Sequence, residues 1–453
     1  MTAEPSTNSD SASGSRRSLG LWMCTALVVG NMIGSGIFLL PAALAPFGAI
    51  SIAGWIATSI GALALALVFG RVARLVPKTG GPYAYTREAY GDFPGFLVAW
   101  GYWIALWAGN AAVAVAFASY MGFFFPAVGG NPVVGLAVAL GALWLVTFVN
   151  LRGVGAAGMV QLFTAILKVL PLLVVGGIGL AFIEPGNFHP PNRSVLSHGA
   201  AIAACATLTL WAFLGLESAT VPAGNVRRPE VTIPRATILG TSIAAVIYIL
   251  VTIAAIGLVP PEVLETSTAP LALAAQTFLG GWGGILVALG AIVSTFGTLN
   301  GFTLLTGQVP YGAARDGVFP ALFGRLSGRG TPAVALVISN ILASGLIAMN
   351  FTKGLVEQFT FIILLATLTT LVPYVFCALS EVMLCLRAGP REGPGAATIL
   401  LGILAFVYSA WAIYGAGAEV VYYGFLLLIA GFPVYVWTKG FNSETSGEAL
   451  EEL

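Results

Sequence analysis

The sequence predicts an all-α integral membrane protein with twelve transmembrane helices, the first and sixth of them broken. Three observations carry this: scarcity of charge, recurrence of long apolar runs, and interruptions in two corresponding runs, one rich in glycine and the other carrying a carboxylate. Of 453 residues only 8% are charged, 19 Lys and Arg against 18 Asp and Glu, while 58% are hydrophobic. An ordinary soluble domain carries roughly 25% charged residues, so this chain lacks the polar surface to coat a water-facing globule of its length. The mean hydropathy of +0.94 agrees. Composition therefore argues against a soluble enzyme. A net charge of +1 argues against nucleic acid, whose phosphates require a concentrated basic face. Cys24, Cys205, Cys377 and Cys385 lie in or beside apolar runs without metal-ligand spacing to His. They read as small packing residues, and neither a metal nor another cofactor is expected.

Crossing about 30 Å of hydrocarbon takes on the order of 20 helical residues. Runs of that kind fall at 18–40, 48–70, 93–125, 131–150, 157–182, 199–222, 236–258, 282–308, 331–349, 357–386, 397–415 and 420–438. Helices are expected because a lipid-exposed backbone must satisfy its own hydrogen bonds, and the runs lack the alternation of barrel strands. With the N-terminus in the cytoplasm, sixteen of the nineteen Lys and Arg fall on inner segments; Arg193 and Lys353 are outer, and Lys168 lies within a span. That asymmetry predicts a multi-pass inner-membrane protein with both termini cytoplasmic, and it checks the span count, since a missed helix would scramble it. The polar residues 1–17 and the acidic stretch 439–453 read as solvated tails, the former lacking the pattern of a signal peptide.

The first run contains Gly30-Asn31-Met32-Ile33-Gly34-Ser35-Gly36, and the sixth contains Trp211-Ala212-Phe213-Leu214-Gly215-Leu216-Glu217-Ser218. Glycine costs about 1 kcal/mol relative to Ala inside a helix. A carboxylate at membrane depth costs roughly 2.5 to 3.5 kcal/mol and marks a functional candidate. Small residues at such spacing also serve helix packing, and for the first run alone the two readings weigh equally. Position decides between them: runs one and six each begin a block of five spans, and matched interruptions in two such blocks point to a midplane binding site. An opened helix offers amide N–H groups to a carboxylate and free carbonyls to an ammonium. An α-amino acid has both.

Four separated segments, GNMIGSGIFLLPA, GGPYAYTREAYGDFPGFLVAWGYWIALWAGN, LWAFLGLESA and ARDGVFPALFGRLSGRGTP, closely resemble the amino acid, polyamine and organocation transporter superfamily. The likeness is strongest to its bacterial arginine/agmatine antiporters and runs from about Gly20 to Tyr374. It implies a LeuT-like fold of 5+5 inverted repeats, at 18–183 and 199–386, followed by two trailing helices at 397–438. Carried onto this chain, it places the substrate carboxylate at Ser35 and the amide of Gly36, and the α-ammonium at the carbonyls of Met32, Trp211 and Leu214. Asn31 precedes the first break, and Ala105, Leu106, Asn110 and Phe302 stand toward the substrate's side chain. Tyr102, Trp211 and Phe302 match gating aromatics, with Glu217 at the inner end of the sixth-span break. From residue pattern alone each of these aromatics reads as a lipid or packing contact.

The chain departs from the arginine antiporters in the side-chain pocket, where Phe302 replaces a Trp, Leu106 a Cys and Ala366 a Ser. Each change makes the pocket more apolar or poorer in hydrogen bonds. The Trp-to-Phe change also weakens a cation–π contact worth about 2 kcal/mol when desolvated. Neutral and basic amino acids both stay open. Lys168, deep in the fifth run, has an apolar counterpart in the arginine antiporters but matches a Lys of proton-coupled relatives. There the resemblance implies an ammonium standing where sodium sits in other cousins, propping spans one and eight. Lys168 and Glu217 are the candidates for proton or ion coupling, with a fixed structural cation the equal alternative for Lys168.

The expected function is a secondary-active amino acid permease working by alternating access, as an antiporter of the arginine/agmatine type or with a proton. The alternatives are a carrier of neutral amino acids and, from another class, a non-transporting sensor or intramembrane enzyme. No catalytic residue is assigned and no enzyme activity is expected, because Lys168 and Glu217 alone do not form a nucleophilic or metal centre. The expected partners are an amino acid or amine, protons and the lipid bilayer. The resemblance extends to homodimers, while the sequence itself leaves oligomeric state open.

Overall fold

Runs this apolar fold as helices because intrasegment hydrogen bonding is the only way to satisfy their backbone away from water. The structure, a computed structural model, describes residues 20–76, 81–152, 167–220, 226–349, 351–388 and 394–439. These are helical almost throughout, with no β-strand among the described residues. Eight helices are each long and apolar enough to cross a membrane. They are Ile50–Leu75, Asp92–Phe124, Pro132–Leu151, Pro229–Leu258, Pro270–Arg315, Leu355–Ala388, Ala396–Gly415 and Ala418–Lys439. The first span is a bent pair, Leu21–Met32 and Ser35–Phe47, turned by 42°. Shorter apolar helices at Leu170–Phe182, His198–Phe213 and Ala333–Met349 occupy the fifth, sixth and ninth spans. Every expected span thus has a helical counterpart. Residues 157–166 of the fifth, the end of the sixth beyond Thr220, and the tails 1–17 and 440–453 lie outside the described residues.

The eighth span differs most from expectation. Its helix follows Gly280, whose backbone is non-helical (φ 65°, ψ −162°) and joins it to a preceding helical stretch from Pro270, and it continues to Arg315, beyond the expected end at 308. An apolar run marks hydrocarbon thickness, whereas backbone hydrogen bonding continues into water for as long as the sequence tolerates it.

The third span is the centre of the fold, with 89% of its apolar window buried, whereas the twelfth has only 17% buried and lies at the periphery. The third packs against the fourth, eighth, ninth and tenth; the eighth against the first, third, fourth, fifth and ninth. The second span packs on the sixth, seventh and tenth, and the seventh on the first, second and fifth. Exchanging each span with the one five places along maps the sets of the second and seventh onto each other, and those of the third and eighth apart from the contact of the eighth with the first.

The loop after the second span forms a short helix, Pro82–Tyr90, that ties several elements together. Tyr83 donates its hydroxyl to Asp316 Oδ2 at 2.9 Å, and Arg87 Nε donates to Asp92 Oδ1 at 2.9 Å. Lys439 Nζ, at the end of the twelfth span, reaches Asp92 Oδ2 at 2.6 Å. Burial and the Asp316 carboxylate both hold the Tyr83 phenol well above its ordinary pKa, so it remains a donor. The half-exposed ion pairs are each worth about 0–1 kcal/mol. Their consequence is positional, pinning this loop to spans three, eight and twelve.

Close approach of the second and sixth spans requires Gly54, where an added Cβ would stand 2.3 Å from Cys205 Cβ. Gly141, on the fourth span, has nothing within 4 Å of the same point. Gly54→Ala should therefore cost about 1–3 kcal/mol by overpacking, while Gly141→Ala should stabilise by about 0.5–1 kcal/mol. Thermal unfolding of the purified protein in detergent reads both, with midpoints expected to move in opposite directions.

Candidate functional site

The first span stops at Met32 and restarts at Ser35, with Gly34 between them in a conformation far from helical (φ −136°, ψ −142°). The sixth span changes to a tight 3-10 turn at Trp211–Phe213, extends at Leu214, turns left-handed at Gly215 (φ 104°), and resumes at Leu216–Ala219. The two breaks face each other: an added Cβ on Gly215 would lie 3.3 Å from the Asn31 carbonyl carbon, and one on Gly36 would lie 2.9 Å from Trp211 Cδ1. Only a residue without a side chain fits either place without displacing its neighbour.

Between the breaks lies a cavity of two adjoining compartments that share Asn31, Leu214 and Phe302 as a common wall. One is bounded by Met32, Gly34, Ser35, Gly36, Trp211 and Thr298. Here the N-terminal amides of the second half-helix are free of intrahelical partners, a site suited to an anion. The other is bounded by Tyr102, Ala105, Leu106, Gly215, Glu217 and Thr370. It is small, about 20 Å³ being open to the centres of water molecules, and chiefly apolar, with Asn31, Tyr102, Glu217 and Thr370 as its polar side chains. Trp211 and Phe302 meet edge to face, ring centroids 6.2 Å apart at 83°. Gly109 lets both rings approach the third span, since a Cβ there would stand 3.0 Å from each.

Glu217 is buried and accepts two hydroxyl hydrogen bonds, from Tyr102 on the third span at 2.6 Å and from Tyr374 on the tenth at 2.9 Å. Hydrogen bonds to a charged acceptor contribute about 1.5–3 kcal/mol, so this triad fastens the sixth-span break to two other spans. Lys168 is fully buried and donates to the Gly30 carbonyl. Gly30 lies in the last turn of the first half-helix, where carbonyls lack intrahelical partners and the dipole favours a cation. Among the described residues no hydrogen bond joins Lys168 to the eighth span.

Of the residues singled out in the sequence, Asn31, Met32, Ser35, Gly36, Tyr102, Ala105, Leu106, Trp211, Leu214, Glu217 and Phe302 all line the cavity. Asn110 does not. It sits four residues beyond Leu106 on the flank of the third span, and its Nδ2 donates to Asn340 Oδ1 on the ninth span at 3.1 Å. Asn340 in turn donates to Thr147 on the fourth, so Asn110 belongs to a buried polar link among spans three, nine and four. Lys168 lies beside the site, reaching it only through the first-span backbone. Tyr374 and Thr298 were missed from the sequence. Thr298 precedes Phe302 by one helical turn, and that spacing could have identified it. Tyr374 carries no comparable local signal, because its role comes from Glu217, far away in the chain.

A family model described as amino acid permease matches residues 19–434, and the chain belongs to that family. It is accordingly a multi-pass membrane transporter with the family's all-helical fold. Among its relatives, the cadaverine/lysine antiporter of Escherichia coli (strain K12) is 36% identical over 80% of this chain and 82% of its own. The arginine/ornithine antiporter of Pseudomonas aeruginosa is 32% identical over 97% of this chain and 94% of its own. The putrescine transporter of Haemophilus influenzae is 32% identical over 92% and 96%.

Gly215 is the most exacting position of the site. Gly215→Ala combines a left-handed backbone, costing about 1–2 kcal/mol for a residue with a Cβ, with contact against Asn31. Solute flux into vesicles is expected to fall by about tenfold or more. A flux within twofold of the original would show that the break tolerates a side chain.

Proposed function

We propose that the chain is a secondary-active antiporter of cationic amino acids and their amines, working by alternating access. The observation that carries this reading is the two-compartment cavity: backbone-rich at the paired helix breaks, and apolar with a single carboxylate, Glu217, at the other end. In this reading Ser35 and the Gly36 amide receive the carboxylate. The free carbonyl lone pairs of Met32, Trp211 and Leu214 receive the α-ammonium. The Trp211 carbonyl already accepts from Leu214 N at 3.2 Å and retains a second lone pair.

The aliphatic stem of the substrate lies against Ala105, Leu106 and Phe302, and its cationic end is drawn toward Glu217. The names of the relatives, lysine with cadaverine and arginine with ornithine, support cationic ligands over neutral ones. Trp211 and Phe302 close one side of the ligand; Tyr102 and Glu217 close the other. Opening toward that second side must break the hydroxyl bonds from Tyr102 and Tyr374 to Glu217, and an arriving cation competes for the same carboxylate. Ligand binding thereby acquires the differential affinity between states that any ligand-driven shift requires.

The remaining parts of the reading follow from the same frame. Residues 18–183 and 199–386 form the two inverted repeats, a reading supported by the second and seventh spans, whose main neighbours exchange under a shift of five spans. The protein lies in the inner membrane with both termini cytoplasmic, supported by the distribution of Lys and Arg. It transports without chemically altering its substrate. Lys168 neutralises the carbonyl end of the first half-helix, which removes the need for a metal cation there.

Purified protein in vesicles loaded with lysine, arginine or ornithine should take up the labelled amino acid only when an exchangeable ligand is inside. Binding without flux, or flux restricted to neutral amino acids, would refute the reading. Lys168→Ala should lower exchange by about tenfold or more. Unchanged transport with an unchanged pH profile would remove Lys168 from the mechanism.

A further inference from the structure

We propose that Thr298 binds the substrate's α-carboxylate together with Ser35, and that this pair makes the site rank amino acids above their decarboxylated amines. The inference rests on the exchanger reading above and deepens it at one residue. Ser35 Oγ and Thr298 Oγ1 are both buried without a hydrogen-bond partner among the described residues. Both line the compartment at the first-span break. A buried hydroxyl left unpaired costs about 1–3 kcal/mol, so two of them facing one cavity indicate a ligand that pairs with both.

Thr298 has forgone the usual alternative. A helical Thr commonly satisfies itself on a carbonyl one turn back, as Thr295 of the same helix does on Ala291 at 2.8 Å. Ser294 and Thr303 are also without partners on this helix, but neither lines the cavity. What sets Thr298 apart is its neighbour: a Cβ built on Gly34 would stand 3.1 Å from its Oγ1 and 2.8 Å from its Cγ2. The absent side chain at Gly34 is therefore what allows Thr298 to stand at the mouth of the second half-helix.

The sign of the ligand group follows from that place. The half-helix beginning at Ser35 is ten residues long and presents its positive end to the compartment, which favours an anion and opposes an ammonium. No Lys or Arg lines this compartment, so hydroxyls and amides are the donors a carboxylate finds here. Ser35 belongs to the first span and Thr298 to the eighth, so a carboxylate held by both joins the two halves of the chain. A diamine has no group to place there and leaves both hydroxyls unpaired. Sites built to hydrogen-bond one group discriminate most strongly against analogues that lack it.

The test compares L-lysine with cadaverine and L-ornithine with putrescine, as competitors of labelled L-lysine exchange in vesicles holding the full-length protein. Thr298→Val removes the hydroxyl at nearly constant shape. It should raise the half-inhibition constant of each amino acid about tenfold, with the constant for each amine moving less than about twofold. Thr298→Ser, which restores a hydroxyl, should bring the amino acid constants back to within about threefold of the original. Equal weakening of acids and amines, or no change in either, would overturn the role of Thr298 while leaving the exchanger reading standing. Wild-type vesicles that exchange none of the four ligands would overturn both.

Discussion

Backbone hydrogen bonding in hydrocarbon is the constraint on which this structure depends. A helix may break at membrane depth only where the freed amides and carbonyls find other partners or line a cavity. The first and sixth spans break side by side, and the groups released at the two interruptions make one shared polar pocket inside an apolar bundle. Each break depends on the other. Gly215 turns left-handed against the Asn31 backbone, and Gly36 gives way to the Trp211 ring. The site is thus a property of two chain segments nearly two hundred residues apart in sequence.

Charge is placed with the same economy. Among the described residues the basic and acidic side chains beside the breaks, Lys168 and Glu217, answer different needs. Lys168 meets the carbonyl end of the first half-helix at Gly30, compensating exposed backbone with a cation. Glu217 stands beyond the second break and is restrained by phenolic hydroxyls from two other spans. Isolated charges at this depth cost several kcal/mol. Both are tolerable here because hydrogen-bonding partners are built around them, and the two tyrosines make the cost of moving Glu217 depend on the positions of the third and tenth spans. In the proposed mechanism, motion between states and occupancy of the pocket are linked through this same carboxylate.

The third span shows why small residues matter as much as polar ones. Tyr102, Ala105 and Leu106 face the cavity, Gly109 admits the Trp211 and Phe302 rings, and Asn110 turns away to Asn340. One turn along the helix separates the cavity-lining Leu106 from the structural link at Asn110. Packing decides which of these a residue becomes, since a buried amide takes whichever partner lies within reach.

Composition, run length and the distribution of Lys and Arg determined by themselves that this chain spans a membrane many times and where nearly every span falls, because burial in lipid is a demand each segment meets alone. The interruption in the first run was legible for the same reason, since three glycines weaken local helix propensity whatever surrounds them, and that in the sixth through a carboxylate at membrane depth in the matching run. The family likeness added most of the cavity lining, residue by residue. Tertiary structure alone decided the rest: the turning of Asn110 toward the ninth span, the joining of Tyr374 to Glu217, and the setting of Thr298 against Gly34. Those three outcomes depend on which helices become neighbours and at what rotation, and a pattern read along one strand of chain carries no record of the partner's angle.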